Sequence, residues 1–213
     1  MKTSVLTLAV FMGLASTNAL AAATDLTVAG TITPAACTPS LSNGGLVDYG
    51  SLALTELEES QHLYALPAKS LNFSIECSAP ATFAVIANDN RRDSSGINPW
   101  QFGLGKHQDQ VIGYFFMTMF QGNTLVDGAQ GYHLSSEDAG NTWNYVITGS
   151  LLDTARAADY RAAFSSTGSD IQGPTPASSV HAIMDINGVI NKNLTLNGAM
   201  ALDGSATIEV VYL

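Results

Sequence analysis

The stretch LTVAGTITPAAC, Leu26 to Cys37, alternates side chains with a period of two and ends on one of the chain's 2 cysteines. A period of two is typical of a half-buried β-strand, because successive side chains point to opposite faces. Pro34 ends the ladder, since it has no amide hydrogen to donate. We therefore expect a first strand that starts at Leu26 and leads into Cys37. The residues on one of its faces are Leu26, Val28, Gly30 and Ile32.

Residues 1–21 have the pattern of a secretory signal peptide. Lys2 gives a positive start, Val5 to Leu14 is an apolar run too short to span a bilayer, and Ala19-Leu20-Ala21 is a small-residue cleavage signature. An uncleaved anchor is the alternative, but no second apolar run of membrane length follows. We expect cleavage after Ala21, export to the periplasm or the cell surface, and no membrane insertion of the mature chain.

The remaining residues, 22–213, are enough for one well-cored domain, which is what we expect. The formal net charge is −10. Nucleic acids and anionic lipids select basic patches, so an acidic chain of this kind argues against both as partners.

The cysteine pair, Cys37 and Cys77, predicts a disulfide. Exported proteins fold in an oxidising compartment, and this pairing leaves no thiol over. A metal site is the alternative, but neither cysteine has a second Cys or His at ligand spacing. The bond would join the first strand to the segment that ends at Cys77.

Short strands separated by turn residues recur along the rest of the chain. In LNFSIEC, Leu71 to Cys77, the alternation predicts that the odd-numbered residues face inward. The segment Val111 to Phe120 is apolar on both faces, which predicts a buried strand. Such strands at intervals of about 8–12 residues are typical of a sandwich or barrel. The other predicted strands are Leu46 to Leu54, Thr82 to Ala87, Trp143 to Thr148, Tyr160 to Phe164, Val180 to Ile186, Val189 to Leu196 and Ala206 to Leu213, with turns at Asn187-Gly188, Asn197-Gly198 and Asp203-Gly204.

Known catalytic motifs are missing from the sequence. There is no G-x-S-x-G elbow, no phosphate-binding glycine loop with its lysine, and no H-E-x-x-H. The 4 histidines are scattered, without the spacing that places two imidazoles on one metal. We expect no enzyme activity, no metal and no cofactor; carboxylates brought together only by the fold would be the exception.

The segment DNRRDSS contains two consecutive arginines, Arg91 and Arg92. Its composition predicts an exposed loop. Alternatively, one arginine is fixed by a neighbouring acid, such as Asp89 or Asp93, and shapes a surface recognition loop together with Trp100.

These stretches together resemble a known family. LTVAGTITPAAC, the single partner Cys77 and the ending ATIEVVYL look like the pilin domains of bacterial chaperone–usher pathways. The wider set TITPAACTPSLSNGG, VDYG, DNRRDSS, FGLG and LDGSATIEVVYL resembles the exported family of unknown function that includes GltF-type periplasmic proteins and often accompanies fimbrial operons. The resemblance spans essentially the whole mature chain.

The pilin resemblance implies an immunoglobulin-like β-sandwich that lacks its own last strand. A periplasmic chaperone, and then a neighbouring pilus subunit, would add a strand to its open edge. The candidate edge for this contact consists of Ile208, Val210, Tyr212 and Leu213, whose terminal carboxylate would suit a basic anchor in the chaperone. Only Ala22 to Asp25 precede the expected first strand, so we expect a terminal or accessory subunit that accepts a strand without donating one. Pilins also tend to have a glycine at the position of Met200.

A self-contained periplasmic or surface binding module is the alternative function. Its ligand could be a carbohydrate, held by the loop aromatics Trp100, Tyr132 and Trp143. Lone tryptophans in a sandwich can equally be core residues.

Overall fold

The structure is a computed structural model that describes residues 24–30, 35–168, 173–195 and 198–213. The expected signal peptide, 1–21, lies outside these residues, as do 31–34 of the expected first strand and 196–197 of an expected strand and turn. No helix in the described ranges is long and apolar enough to cross a membrane.

Across the described residues the chain forms strands joined by turns and three short 3-10 helices. The helices are Ser42–Gly45, Leu54–Glu56 and Arg92–Ser94. The strands are β1 Cys37–Leu41, β2 Glu58–Glu59, β3 Leu63–Ala65, β4 Lys69–Ala81, β5 Phe83–Asp89, β6 Phe102–Gly103, β7 Lys106–His107, β8 Gln110–Val111, β9 Gly113–Val126, β10 Ala129–Gln130, β11 Tyr132–Ser136, β12 Asn144–Val146, β13 Thr148–Ser150, β14 Arg161–Ser165, β15 Ala177–Asn191 and β16 Ala206–Tyr212.

The larger of the two main sheets is built around β15. Antiparallel β4 pairs with one edge of β15 and antiparallel β9 with the other, and β1 extends the sheet beyond β4. The smaller sheet has the order β12-β11-β14-β5-β16. Thus β1 ends one sheet and β16 ends the other, and within the described residues each has one unpaired edge.

The core lies between these sheets, as the alternating pattern of β4 predicts. Leu71, Phe73 and Ile75 are buried, whereas the residues between them face outward. The same holds for β9, whose inward residues Phe115, Met117 and Met119 are buried. The expected all-β sandwich is therefore confirmed.

The expected disulfide is also confirmed. Cys37 lies directly opposite Cys77 in the ladder between β1 and β4, and the two sulfur atoms are bonded. The bond closes a separation of 40 residues, for which the chain-entropy model gives a stabilisation of about 4 kcal/mol. It fixes the short edge strand β1 to the larger sheet.

The expected strand from Leu26 does not form at its start. Residues 24–30 have no regular secondary structure, and the side chains of Leu26 and Val28 are each 89 % exposed. Alternation decides which side chains share a face, but a strand also needs a partner to pair with its peptide groups. Among the residues that the structure describes, the first ladder begins at Cys37, opposite β4.

Two further sequence predictions are wrong. Leu46 to Ala53 forms no strand. Asn187-Gly188 forms no turn but lies inside the continuous strand β15, which replaces the two expected strands. A Cβ at Gly188 would lie 2.7 Å from Cδ1 of Leu66, so this glycine makes room for a buried leucine.

Candidate functional site

A groove with a volume of about 340 Å³ opens between the two sheets, on the side where β1 and β16 end them. The two edge strands are near neighbours: the backbone N–H of Cys37 donates to the Tyr212 hydroxyl at 2.7 Å. Among the described residues, no strand pairs with the free edge of either. The side chains that line the groove include Leu41, Leu46, Val47, Tyr49, Leu202 and Ile208.

The four residues of the expected edge differ in their burial. Ile208 and Val210 are half-buried and pack on the main core, so their inward orientation agrees with the alternation. Tyr212 and Leu213 are 53 % and 51 % exposed. On its other side β16 pairs with β5 along its whole length. The strand is thus firmly held by one edge and open at the other.

The loop Arg91 supports one wall of the groove. Its Nε and Nη2 donate to the two carboxylate oxygens of Asp203, each at 2.8 Å. Asp203 lies next to Leu202 and Gly204, which line the groove. The hydrogen bond from Arg91 lowers the pKa of Asp203, so this pair stays charged in neutral solution.

Arg92 points to a different partner, the fully buried carboxylate of Asp153. It donates through Nε and Nη2 at 2.8 Å each, and Nη1 of Arg156 adds a contact at 3.3 Å. Burial raises the pKa of Asp153, but the hydrogen bonds, led by that of Arg92, outweigh it and leave the pKa below its ordinary value. Arg92 therefore ties its loop to the segment around Asp153.

The sequence-adjacent acids expected to fix the arginines make other contacts. Asp89 is buried and accepts the backbone N–H groups of Arg91 and Gly103. Asp93 forms an ion pair with Lys106. Only the fold brings Asp153 and Asp203 to the arginines, from positions far along the chain. Both guanidinium groups are occupied by these carboxylates, so they serve as supports.

The three aromatic residues considered for ligand binding lie in different environments. Trp100 is 37 % exposed and meets Tyr114 and Phe116 edge to face, with ring centroids 5.5 and 5.9 Å away. Trp143 packs on the buried cluster of the smaller sheet and is a packing residue. Tyr132 pairs with Tyr145. No aromatic pair in the described part of the chain joins Trp100, Tyr132 and Trp143.

The groove also explains where the family-like stretches lie. VDYG contributes Val47 and Tyr49, FGLG contributes Leu104, and LDG contributes Leu202 to Gly204. The arginine stretch supports the last of these through Asp203. Sequence reasoning missed these groove residues because each stretch is short and unremarkable alone. Their joint appearance in the resemblance was the available signal.

The described residues contain no group of three or more His, Cys, Asp or Glu side chains placed to hold a metal ion. The groove itself is lined mainly by apolar side chains. Its chemistry suits the burial of further apolar side chains, and its edges offer unpaired peptide groups.

The fold and groove define a disulfide-linked β-sandwich in which, over the part of the chain that the structure describes, β1 and β16 each leave one edge unpaired. A family model described as "Protein of unknown function (DUF1120)" matches residues 26–99. The chain is 29 % identical to the uncharacterized protein YhcF of Escherichia coli strain K12, with 86 % of this chain and 87 % of that protein aligned. It is also 29 % identical to the protein GltF of the same strain, over 89 % of this chain and 88 % of that protein. No solved structure matches the chain. The chain is thus similar to a family of unknown function.

Proposed function

We propose that the protein is a non-enzymatic, fimbria-associated component of the cell envelope that accepts an extended strand from a partner. The observation that carries this proposal is the apolar groove between the unpaired edges of β1 and β16. A periplasmic chaperone or a neighbouring pilus subunit is the proposed partner. The pilin resemblance of the two chain ends supports the same proposal.

An added strand would make two kinds of contact in this groove, backbone hydrogen bonds and apolar side-chain packing. Its peptide groups would pair with the free edge of β16, where β5 occupies only the other side. Its alternating apolar side chains would cover Ile208 and its neighbours, which are only half-buried. Strand addition gains affinity from the ladder and specificity from the side-chain pockets.

The structure removes one reason for expecting acceptance without donation. That expectation counted only the residues before a first strand at Leu26. The first strand in the described ranges begins at Cys37 instead, and residues 24–30 are exposed, with alternating Leu26 and Val28. The segment from Thr24 therefore has the pattern of an added strand, and a second copy of the chain becomes a possible donor.

A synthetic peptide of residues 24–33, TDLTVAGTIT, tests the groove directly. We expect saturable binding to the protein that starts at Ala22, measured by fluorescence anisotropy at low protein concentration. A charge at a groove-facing position must oppose added apolar side chains, so Ile208→Asp should weaken binding about tenfold or more. The unaltered protein that starts at Ala22 should also co-elute with a candidate chaperone.

Thr207→Asp is the matched control, because Thr207 precedes Ile208 on β16 but is exposed on the outward face. It adds the same charge and should leave peptide affinity nearly unchanged. High thermal stability that neither chaperone nor peptide alters, with no detectable peptide binding, would exclude strand acceptance.

A second candidate function is carbohydrate binding at Trp100, which one observation favours. Its indole is partly exposed and rests against Tyr114 and Phe116 on the outward side of β9, so an aromatic surface is present there. A glycan array with the purified protein tests it. Saturable binding that Trp100→Ala abolishes would support this function, and an array without signal would exclude it for the sugars presented.

A further inference from the structure

Residues Leu46, Val47, Asp48 and Tyr49, here called the strap, form part of the groove without belonging to either sheet. They follow β1 and its 3-10 turn, and Leu46, Val47 and Tyr49 line the groove. Val47 and Tyr49 are half-buried against the main core, whereas Leu46 is 61 % exposed. The strap thus covers part of the surface that a strand would need.

Side-chain packing and local turn bonds, without a sheet ladder, hold the strap. Among the described residues, the peptide groups of Val47, Asp48 and Tyr49 form no backbone hydrogen bond with any strand. The bonds at its ends stay within the segment: Leu46 N–H donates to Asn43 O, and Gly50 N–H donates to the Asp48 carboxylate. A segment with apolar anchors but no ladder belongs to the less stable parts of a fold.

Both ends of the strap turn through backbone conformations that favour glycine. Gly44 and Gly45 have φ of 61° and 78° before it, and Gly50 has φ of 59° after it. Positive φ costs glycine little, so these residues can change conformation with small penalty. The strap therefore lies between two flexible joints.

The hydroxyl of Tyr49 destabilises the strap in its position at the groove. Its hydroxyl oxygen is buried, and no described residue accepts or donates a hydrogen bond to it. Burial raises the pKa of this tyrosine, as expected for a hydroxyl removed from water. A buried hydroxyl without a partner favours any state in which it reaches water or an acceptor.

We propose that the strap Leu46–Tyr49 is a displaceable cover of the groove, and that an incoming extended strand binds by pushing it out. This inference rests on the proposed strand-accepting function and adds its regulation. With the strap in place, the binding-competent state is only a fraction of the population, so apparent affinity is reduced by that fraction. When the strap is displaced, the Tyr49 hydroxyl becomes hydrated. This gain offsets part of the free energy lost when the apolar surface of the strap leaves the core.

Two variants that both alter Tyr49 test the proposal, because they should act in opposite directions on the binding of peptide 24–33. Tyr49→Phe removes the unpartnered hydroxyl, stabilises the covered state, raises the thermal midpoint and weakens binding about two- to threefold. Val47→Ala with Tyr49→Ala removes the apolar anchors, lowers the midpoint and tightens binding about fivefold. Tyr160→Phe is the control: its hydroxyl donates to Ser150 O, outside the groove, so stability should fall and affinity should not change.

Hydrogen exchange on the unaltered protein provides a test that needs no variant. Adding the peptide should speed exchange at the hydrogen-bonded amides of Leu46 and Gly50, at the two ends of the strap, while it slows exchange along β16. Slower exchange in the strap, or weaker binding by the double alanine variant, would show that the strap is a fixed wall of the site. Failure of the peptide to bind any of these proteins would instead refute strand acceptance itself, so the two ideas fail separately.

Discussion

The sandwich has a closed side and an open side, and strands β4 and β16 represent them. Both strands alternate apolar and polar residues. On β4, pairing with β1 and β15 covers both edges, and Phe73 and Ile75 are fully buried. On β16, β5 is the one ladder partner among the described strands, and Ile208 and Val210 are half-buried. The same sequence pattern thus gives a core strand on one side and an exposed edge on the other.

This difference predicts that changes on the closed side act on stability and changes on the open side act on binding. Residues that are already buried on the closed side contribute through packing, and changes there should reduce the free energy of unfolding. Residues on the open side have free area to bury, so changes there should act mainly on binding.

The largest effect is expected from truncation of the closed side. Phe73 is 1 % exposed and packs near Phe164 of the smaller sheet, with ring centroids 6.5 Å apart. Phe73→Ala should lower the free energy of unfolding by about 3–5 kcal/mol, because it leaves a cavity between the sheets. The open-side truncation Ile208→Ala should cost only about 1–2 kcal/mol, since the side chain is partly hydrated already. Urea unfolding measures both, and equal costs would contradict the division into two sides.

Acid should act on the closed side through His133. This histidine is 2 % exposed, its Nε2 lies 2.7 Å from Oγ1 of Thr124, and burial lowers its pKa from 6.5 to about 4. Between those values the unfolded chain binds a proton that the folded protein does not. Stability should therefore fall as the pH drops from about 6.5 to 4, by about 3 kcal/mol in total from this group.

Replacing the buried imidazole checks this assignment. His133→Gln should remove most of the slope of stability against pH in that window, whereas His62→Gln, at an exposed position, should retain it. Asp153, whose pKa is lowered, loses its contribution only at more acidic pH and does not account for the same window. An unchanged slope in the His133 variant would point to another group.

The smallest change in stability is expected at the hydrogen bond from the Cys37 N–H to the Tyr212 hydroxyl, which joins the edge strands β1 and β16. Tyr212→Phe removes the acceptor of the Cys37 N–H, an exposed hydrogen bond, and should cost about 0.5–1 kcal/mol. Faster hydrogen exchange at the Cys37 amide should accompany it. Tyr145→Phe, which removes a hydroxyl bonded to Gln121 outside the groove, should leave that amide unaffected. Equal exchange in both variants would mean that the hydroxyl does not protect the open edge.

Much of the fold could be predicted because its signals are local. The alternation of Leu71 to Cys77, the apolar strand after Val111 and the pair of cysteines each predicted what the structure contains. The turn prediction for Asn187-Gly188 was wrong because the glycine is needed inside a strand. It leaves space for the side chain of Leu66, a residue more than a hundred positions away. The strand pattern before Gly50 failed because its residues lie at the groove without a ladder.

The sequence by itself determined the side-chain period, the disulfide and the apolar character of the last strand, since these depend on neighbouring residues and on residue type. Only the tertiary structure decided which strand ends each sheet, which acids meet Arg91 and Arg92, and that Leu46, Val47 and Tyr49 line the groove. Pairing partners and ion pairs depend on how distant segments pack. No local pattern encodes whether a strand will find a neighbour on one edge or on both, and in this protein that difference creates the candidate site.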